Sequence, residues 1–157
     1  KGYGTREHMD KLRLNKACAI HRKSFKPVAA AMPTLSWLWK EDRIRQWGEQ
    51  LAAVYLIESG YKILNINVNC APYGEINIIA EKDGFMIFVE VKTYSKKQLG
   101  TPPQKIDQNK LNKLEEAIDQ YTLDMKVQKD ISLDVICVYL HTSTHKFEHF
   151  KYKRLNS

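Results

Sequence analysis

The feature that most constrains this chain is a pair of short apolar segments, residues 74–79 and 88–92, that read as neighbouring buried strands. Residues 82–84 are Lys-Asp-Gly, and an Asp-Gly pair between two apolar runs predicts a β-hairpin. Two adjacent strands of this kind belong in the interior of a sheet, so the other segments have to be arranged around them.

Each of the two strands carries two polar residues that are two positions apart. Glu75 and Asn77 lie in the first strand, and Glu90 and Lys92 lie in the second. Because side chains alternate across a strand, both members of a pair point to the same face. A buried carboxylate or ammonium group is costly unless it is paired or used. The two strands therefore predict either a functional site or a structural ion pair, since Glu-x-Lys in a strand also occurs as a cross-strand salt bridge.

The segments around the hairpin predict a mixed α/β sandwich built on a small sheet. Apolar residues at spacings of three and four indicate two helices, and alternating or continuous apolar runs indicate the remaining strands. The predicted elements, in chain order, are a helix at 41–59, strands at 61–68, 74–81 and 85–92, a polar loop at 93–106, a helix after the N-cap Asp107, a strand at 131–140 and an edge strand at 145–151.

Length and composition exclude several classes of protein. A chain of 157 residues suggests one domain with its own core. No apolar run approaches the roughly 20 residues that span a membrane, so no membrane partner is expected. Cys18, Cys70 and Cys137 are odd in number and form no Cys-x-x-Cys pair. They predict reduced thiols in a cytoplasmic protein.

The positive charge is concentrated at the start of the chain. The net charge is +7, and residues 1–34 contribute +6 of it, with eight Lys or Arg against Glu7 and Asp10. We predict a basic N-terminal extension at 1–40 and a folded domain at 41–157. Three interpretations of residues 1–34 stay open: an arm that docks on nucleic acid or a partner, an organellar (mitochondrial) targeting segment, or a partly disordered tail. Trp37 and Trp39 predict packing on the core or on a partner.

The chemistry of the polar residues suggests a site for a hard cation. Carboxylates on adjacent strands suit Mg²⁺, which prefers carboxylates, water and substrate phosphate. Such a metal would activate a water and offset charge that develops on phosphorus, and Lys92 would orient that water. Glu49 falls at the edge of the apolar arc of the first helix, and periodicity alone predicts a solvated carboxylate.

The histidines show no pattern that suits catalysis. His141, His145 and His149 cluster late in the chain on an expected edge, and we predict that they are surface residues.

Several motifs in a fixed order resemble the YraN-like family of the PD-(D/E)XK nuclease superfamily, which is related to archaeal Holliday junction resolvases. The resemblance covers about residues 43–152. It implies a restriction-endonuclease-like three-layer sandwich with an αβββαβ core. The matching segments are residues 47–56, 60–64, 74–79, 88–93, 133–138 and 148–150, together with Lys110, Leu111, Leu114 and Tyr121.

The family pattern implies a role for each matching residue. Glu49 matches a helix carboxylate that binds the metal or its water, Glu90 matches a second acidic ligand, and Lys92 matches the catalytic lysine. The carbonyl of Val91 would be a further metal ligand. Asn77 stands where the family usually has aspartate, the central ligand, so the site lacks one formal charge. That loss weakens a site for Mg²⁺ or Mn²⁺, because charged oxygens supply most of the affinity.

Two functions follow as hypotheses. The first is a nucleic-acid-binding protein that resembles a metal-dependent endodeoxyribonuclease for branched DNA and is impaired at Asn77. The alternative is a catalytically inactive nuclease-like subunit with a structural or assembly role. An engineered substitution at Asn77 would give the same sequence.

The expected partner is branched or structured DNA, with RNA or a ribonucleoprotein as an alternative. The resemblance also suggests a homodimer or membership of a larger assembly. Four lysines are predicted to contact nucleic acid: Lys96 and Lys97 in the polar loop, and Lys110 and Lys113 on the second helix.

Overall fold

The computed structural model describes residues 5–18, 30–95, 107–142 and 144–155. Four helices and five strands lie in these ranges. They are α1 (Arg6–Asn15), α2 (Leu35–Lys40), α3 (Ile44–Glu58), β1 (Lys62–Cys70), β2 (Gly74–Lys82), β3 (Phe85–Ser95), α4 (Gln108–Asp124), β4 (Ile131–Leu140) and β5 (His145–Leu155).

The five strands form one mixed sheet in the order of the chain. β1, β2 and β3 are an antiparallel meander, β3 and β4 are parallel, and β5 returns antiparallel to β4. A parallel pair requires a crossover connection, and the segment that contains α4 provides it. The hairpin predicted at residues 82–84 is confirmed, since β2 ends at Lys82 and β3 begins at Phe85.

Hydrophobic clusters lie on both faces of the sheet. Ile136 packs in the cluster beneath α3, whereas Leu133 packs in the cluster beneath α4, so β4 is buried on both sides as its continuous apolar sequence requires. The layers are therefore helix, sheet and helix. This confirms the predicted three-layer sandwich with a restriction-endonuclease-like fold. The helices contribute Leu51, Ala52, Ala53 and Leu56 from α3, and Leu111, Leu114, Ala117 and Ile118 from α4.

α3 approaches β3 closely at Gly48. A Cβ atom added to Gly48 would lie 2.8 Å from the Cβ of Thr93 and closer still to its Oγ1, which is nearer than nonbonded atoms approach. Only glycine fits this helical position without a shift of its neighbour. The close approach brings the next residue of α3, Glu49, against the sheet.

β2 and β3 separate before either strand ends. Their pairing runs from Lys82 opposite Phe85 to Ile78 opposite Val89, while β3 continues beside β4 as far as Ser95. Beyond Val89, the backbone groups of β3 that face β2 have no strand partner there. This fork in the sheet lies at the two polar pairs.

The boundaries differ from the predicted ones at several element ends and in the N-terminal part. α3 is shorter than predicted, and β1, β2, β3 and β5 are longer, so residues 93–95 of the predicted loop belong to β3. Residues 96–106 lie outside the described residues. Within 1–34, where no periodicity is evident, α1 forms a helix. α2 packs Leu38 in the core beneath α3, and the domain boundary at residue 41 stays a prediction.

His149 corrects one prediction. Its side chain is 12 % exposed, and its Nε2 lies 2.8 Å from Oδ2 of the buried Asp134. The Asp134 carboxylate also accepts a hydrogen bond of 2.7 Å from Ser132 Oγ. His149 is therefore a buried partner of a carboxylate, not a surface residue. His145 is exposed, as predicted.

Two further predictions from composition can be compared with the structure. Cys18, Cys70 and Cys137 are free, as predicted. Among the described residues, no helix is long and apolar enough to cross a membrane.

Replacing Gly48 by alanine is expected to lower the free energy of unfolding by about 1–3 kcal/mol, because overpacking displaces well-fitted neighbours. At an exposed helical position the same change would stabilise by up to about 1 kcal/mol. Urea denaturation measures the difference. The double variant Gly48→Ala/Thr93→Ala should recover part of the loss, since it removes Oγ1 and Cγ2 from the contact. A Gly48→Ala variant as stable as the parent would contradict the close approach.

Candidate functional site

Glu49 lies in the interior and not in solvent, which corrects the interpretation from periodicity. It is 2 % exposed, because the approach of α3 at Gly48 presses this side of the helix on the sheet. Its Oε1 lies 3.3 Å from Nε of Arg45, one helical turn earlier. Arg45 also reaches Glu75, with 3.4 Å between Nη2 and Oε1. A mostly exposed arginine therefore holds a buried carboxylate and a partly exposed one.

Asn77 connects three elements at the fork of the sheet. It is 6 % exposed, and its Oδ1 accepts a 2.9 Å hydrogen bond from the backbone N–H of Val91. Its Nδ2 donates to Glu49 Oε1 at 3.5 Å. The first bond takes the place of a ladder bond that β2 and β3 no longer make. The amide side chain thus ties α3, β2 and β3 together.

Glu90 is held from the other helix. It is 2 % exposed, and its Oε1 is in contact with Nζ of Lys110, in the first turn of α4. Val89 and Val91 pack beneath α3, so strand alternation puts Glu90 and Lys92 on the side of α4. The predicted constellation therefore extends across the sheet. Glu49 and Asn77 lie on one side and Glu90 on the other, next to Val91.

Lys92 is partly buried and lies opposite Cys137 of β4. Burial raises the pKa of the Cys137 thiol above its ordinary value, Glu148 adds to this, and the charge of Lys92 opposes it. Lys92 lies two residues beyond Glu90 along β3, on the same face of the strand and farther from the fork. The catalytic role of Lys92 stays a prediction.

The electrostatics of Glu49 reflect its burial. Loss of water raises the pKa of its carboxyl above the ordinary value of 4.5, and the charges of Glu75 and Glu90 add to the rise. Arg45 and a hydrogen bond from the Asn67 side chain oppose it and lower the pKa. The carboxyl is thus a buried acid whose ionised form depends on these polar neighbours.

The side chains at the fork, as arranged, do not fit a divalent cation. Mg²⁺ and Mn²⁺ need several free oxygen ligands, preferably charged. Oδ1 of Asn77 is engaged by Val91 N–H, and Glu90 is engaged by Lys110. Across the described part of the chain, no three His, Cys, Asp or Glu side chains are close enough together to hold a metal ion. The metal roles of Glu49, Asn77, Glu90 and the Val91 carbonyl stay predictions.

Two residues of the site were missed by the sequence argument. Arg45 precedes Glu49 by four residues, and a pair at this spacing on a helix is a signal that could have identified it. Asn67 gives no such signal. Its φ of 53° lies in the left-handed region, and alternation in the sequence does not reveal this backbone conformation.

The predicted nucleic-acid contacts have different positions. Lys110 contacts Glu90 and is partly exposed, whereas Lys113 is exposed on the next turn of α4. Lys96 and Lys97 lie outside the described residues. All four contacts stay predictions.

Glu49→Gln tests the raised pKa through the pH dependence of stability. Because the folded-state pKa lies above 4.5, the native state binds more protons than the unfolded state between the two pKa values. The free energy of unfolding of the parent therefore falls as pH rises through this window. Gln does not titrate, so Glu49→Gln does not show this fall. Its stability relative to the parent should therefore rise with pH from about 4.5 and then level off. Urea titrations at several pH values measure this.

Glu58→Gln is the matched control, since it removes a carboxylate from the exposed end of the same helix. A relative stability of Glu49→Gln that falls with pH, or that follows the control, would contradict the raised pKa.

Comparison with known proteins agrees with the motifs. A family model described as uncharacterised protein family UPF0102 matches residues 48–138. A UPF0102 protein of Syntrophomonas wolfei is 36 % identical over 104 residues, which is 66 % of this chain and 90 % of that protein. A UPF0102 protein of Flavobacterium psychrophilum is 34 % identical over 106 residues, which is 68 % of this chain and 88 % of that protein. The suspected resemblance is thereby confirmed: the chain belongs to the UPF0102, or YraN, family.

Proposed function

We propose that this chain binds branched or structured DNA through a nuclease-like fold and does not cut it. The observation that carries the proposal is the pair of hydrogen bonds made by Asn77, to Val91 N–H and to Glu49. A carboxylate at this position would oppose the charge of Glu49 and call for a cation between them. The amide satisfies both neighbours and calls for none. The resemblance to resolvases supports branched DNA as the ligand.

The charges around the fork support binding to a polyanion. Arg45 is 72 % exposed in its side chain, and Lys113 is exposed on α4. These cations are on the two helices that flank the fork, one on each side of the sheet. Cations on both sides of the fork would attract phosphates without reading sequence. The net charge of +7 of the whole chain adds to this attraction.

Asn77→Asp is the first test. The variant adds a carboxylate beside Glu49, so it should bind Mn²⁺ about ten-fold more tightly than the parent, measured by calorimetry. With fluorescent four-way junction and linear duplex DNA, the parent should give no product in Mg²⁺ or Mn²⁺. Asn77→Asp should give product at high Mn²⁺.

Asn112→Asp is the matched control, because it makes the same change at an exposed position of α4. It should leave Mn²⁺ affinity as in the parent. Cleavage of junction DNA by the parent chain would overturn the proposal that the site is silent.

Binding is tested separately and without metal. In EDTA, the parent should bind junction DNA more tightly than linear duplex. Lys113→Ala should weaken binding to both and lower the salt slope by about 1, as expected for one lost phosphate contact. Fluorescence anisotropy at several salt concentrations measures this.

Lys129→Ala is the control, since Lys129 is 2.7 Å from Glu81 near the opposite end of β2. It should leave the salt slope unchanged. Structured RNA in the same assay separates the two nucleic-acid partners. Failure to bind either nucleic acid would favour an assembly role.

A further inference from the structure

We propose that Lys110 is a built-in cation that holds Glu90 where a metal would otherwise be needed, and that it weakens metal binding independently of Asn77. This inference deepens the proposed function and rests on one part of it, the site that does not cut DNA. It makes the silent site the result of two separate residues on two separate elements. Lys110 is then a positioning residue, because it acts through Glu90.

The burial of the two partners shows which one depends on the other. The side chain of Glu90 is 3 % exposed, whereas that of Lys110 is 55 % exposed. An isolated carboxylate in such an interior is costly, and a counter-ion removes much of that cost. Lys110 remains largely hydrated while it supplies the charge. The pair therefore satisfies Glu90 at little cost to Lys110.

The place of Lys110 on its helix points the same way. Lys110 is the third residue of α4, and no acidic residue lies in the first turn. A cation near a helix N-terminus faces the positive end of the helix dipole, which is unfavourable. The contact with Glu90 offsets this cost. Lys113, one turn later on the same helix, is an exposed lysine with a similar stem and serves as the natural comparison.

The formal charges around the fork cancel. Arg45 contacts Glu49 and Glu75, and Lys110 contacts Glu90. With Lys92 counted as the residue two positions after Glu90, three cations and three carboxylates give a formal charge of zero, which leaves none to balance a divalent ion. Asn77→Asp or the loss of the Lys110 charge would each give −1, and both changes together would give −2, which matches Mg²⁺ or Mn²⁺. The charged residues of the set are Arg45, Lys92, Lys110, Glu49, Glu75 and Glu90.

The test is Mn²⁺ titration calorimetry on the full chain in four forms: parent, Asn77→Asp, Lys110→Met and Asn77→Asp/Lys110→Met. Methionine keeps most of the apolar stem and removes the charge. The double variant should bind Mn²⁺ about ten-fold more tightly than Asn77→Asp, because a competing cation has been removed from Glu90. The melting temperature of the double variant should also rise with added Mn²⁺.

Two further variants in the Asn77→Asp background separate the contact from general charge. Lys113→Met removes a nearby charge that does not contact Glu90, and Lys110→Arg keeps a cation at the contact. Both should bind Mn²⁺ as Asn77→Asp does. If either one matches the Lys110→Met double variant, or if that double variant binds no better than Asn77→Asp, the inference is wrong.

Instability of a variant does not spoil the test. If the double variant is unfolded without metal, folding on addition of Mn²⁺, followed by circular dichroism, is the expected result, because a site that forms only in the native state couples binding to folding. A double variant that stays unfolded at saturating Mn²⁺ would overturn the inference. DNA binding in EDTA is independent of these titrations, so its failure would remove DNA as the ligand and leave the silent metal site and the role of Lys110 standing.

Discussion

The arrangement of the site depends on the two hydrogen bonds of the Asn77 side chain. Where β2 and β3 separate, the buried N–H of Val91 lacks a ladder partner and needs an acceptor, and the buried Glu49 needs a donor. An amide is both, whereas a carboxylate is only an acceptor when ionised. One neutral side chain therefore satisfies two buried groups of opposite character. The Asn77 side chain therefore holds β2 and β3 together beyond the last backbone pair between them.

The buried carboxylates share a second design. Glu49 and Glu90 come from different elements, yet each is matched by a cation whose side chain is mostly exposed, Arg45 or Lys110. Both cations stay largely accessible to water, because the side chains of Arg45 and Lys110 are 72 % and 55 % exposed. The interior thus keeps two ionisable groups without burying a full ion pair, which would cost more desolvation. The same cations face whatever binds at this surface.

Much of the fold could be predicted from the sequence, because it depends on local pattern. Three local patterns each predict an element without reference to any distant contact: the helical period of residues 41–59, the Asp83-Gly84 turn and the continuous apolar run at 131–140. The burial of Glu49 could not, because it depends on how close a glycine lets α3 come to Thr93. The contact of Lys110 with Glu90 was also missed, since it joins two residues that are 20 positions apart and lie on different elements. His149 was misplaced because its carboxylate partner lies on a neighbouring strand.

β5, the outermost strand, determines how the sheet ends. Among the described strands none pairs with the outer edge of β5, so this edge is a template on which another chain could extend the sheet. Lys146 and Lys151 are exposed on this strand, and a register shift opposite Leu133 and Asp134 interrupts its regular pairing. Like charges repel and an irregular strand pairs poorly, and both features work against edge-to-edge pairing of two copies. The charges and the irregularity of β5 therefore disfavour growth of the sheet beyond its last strand.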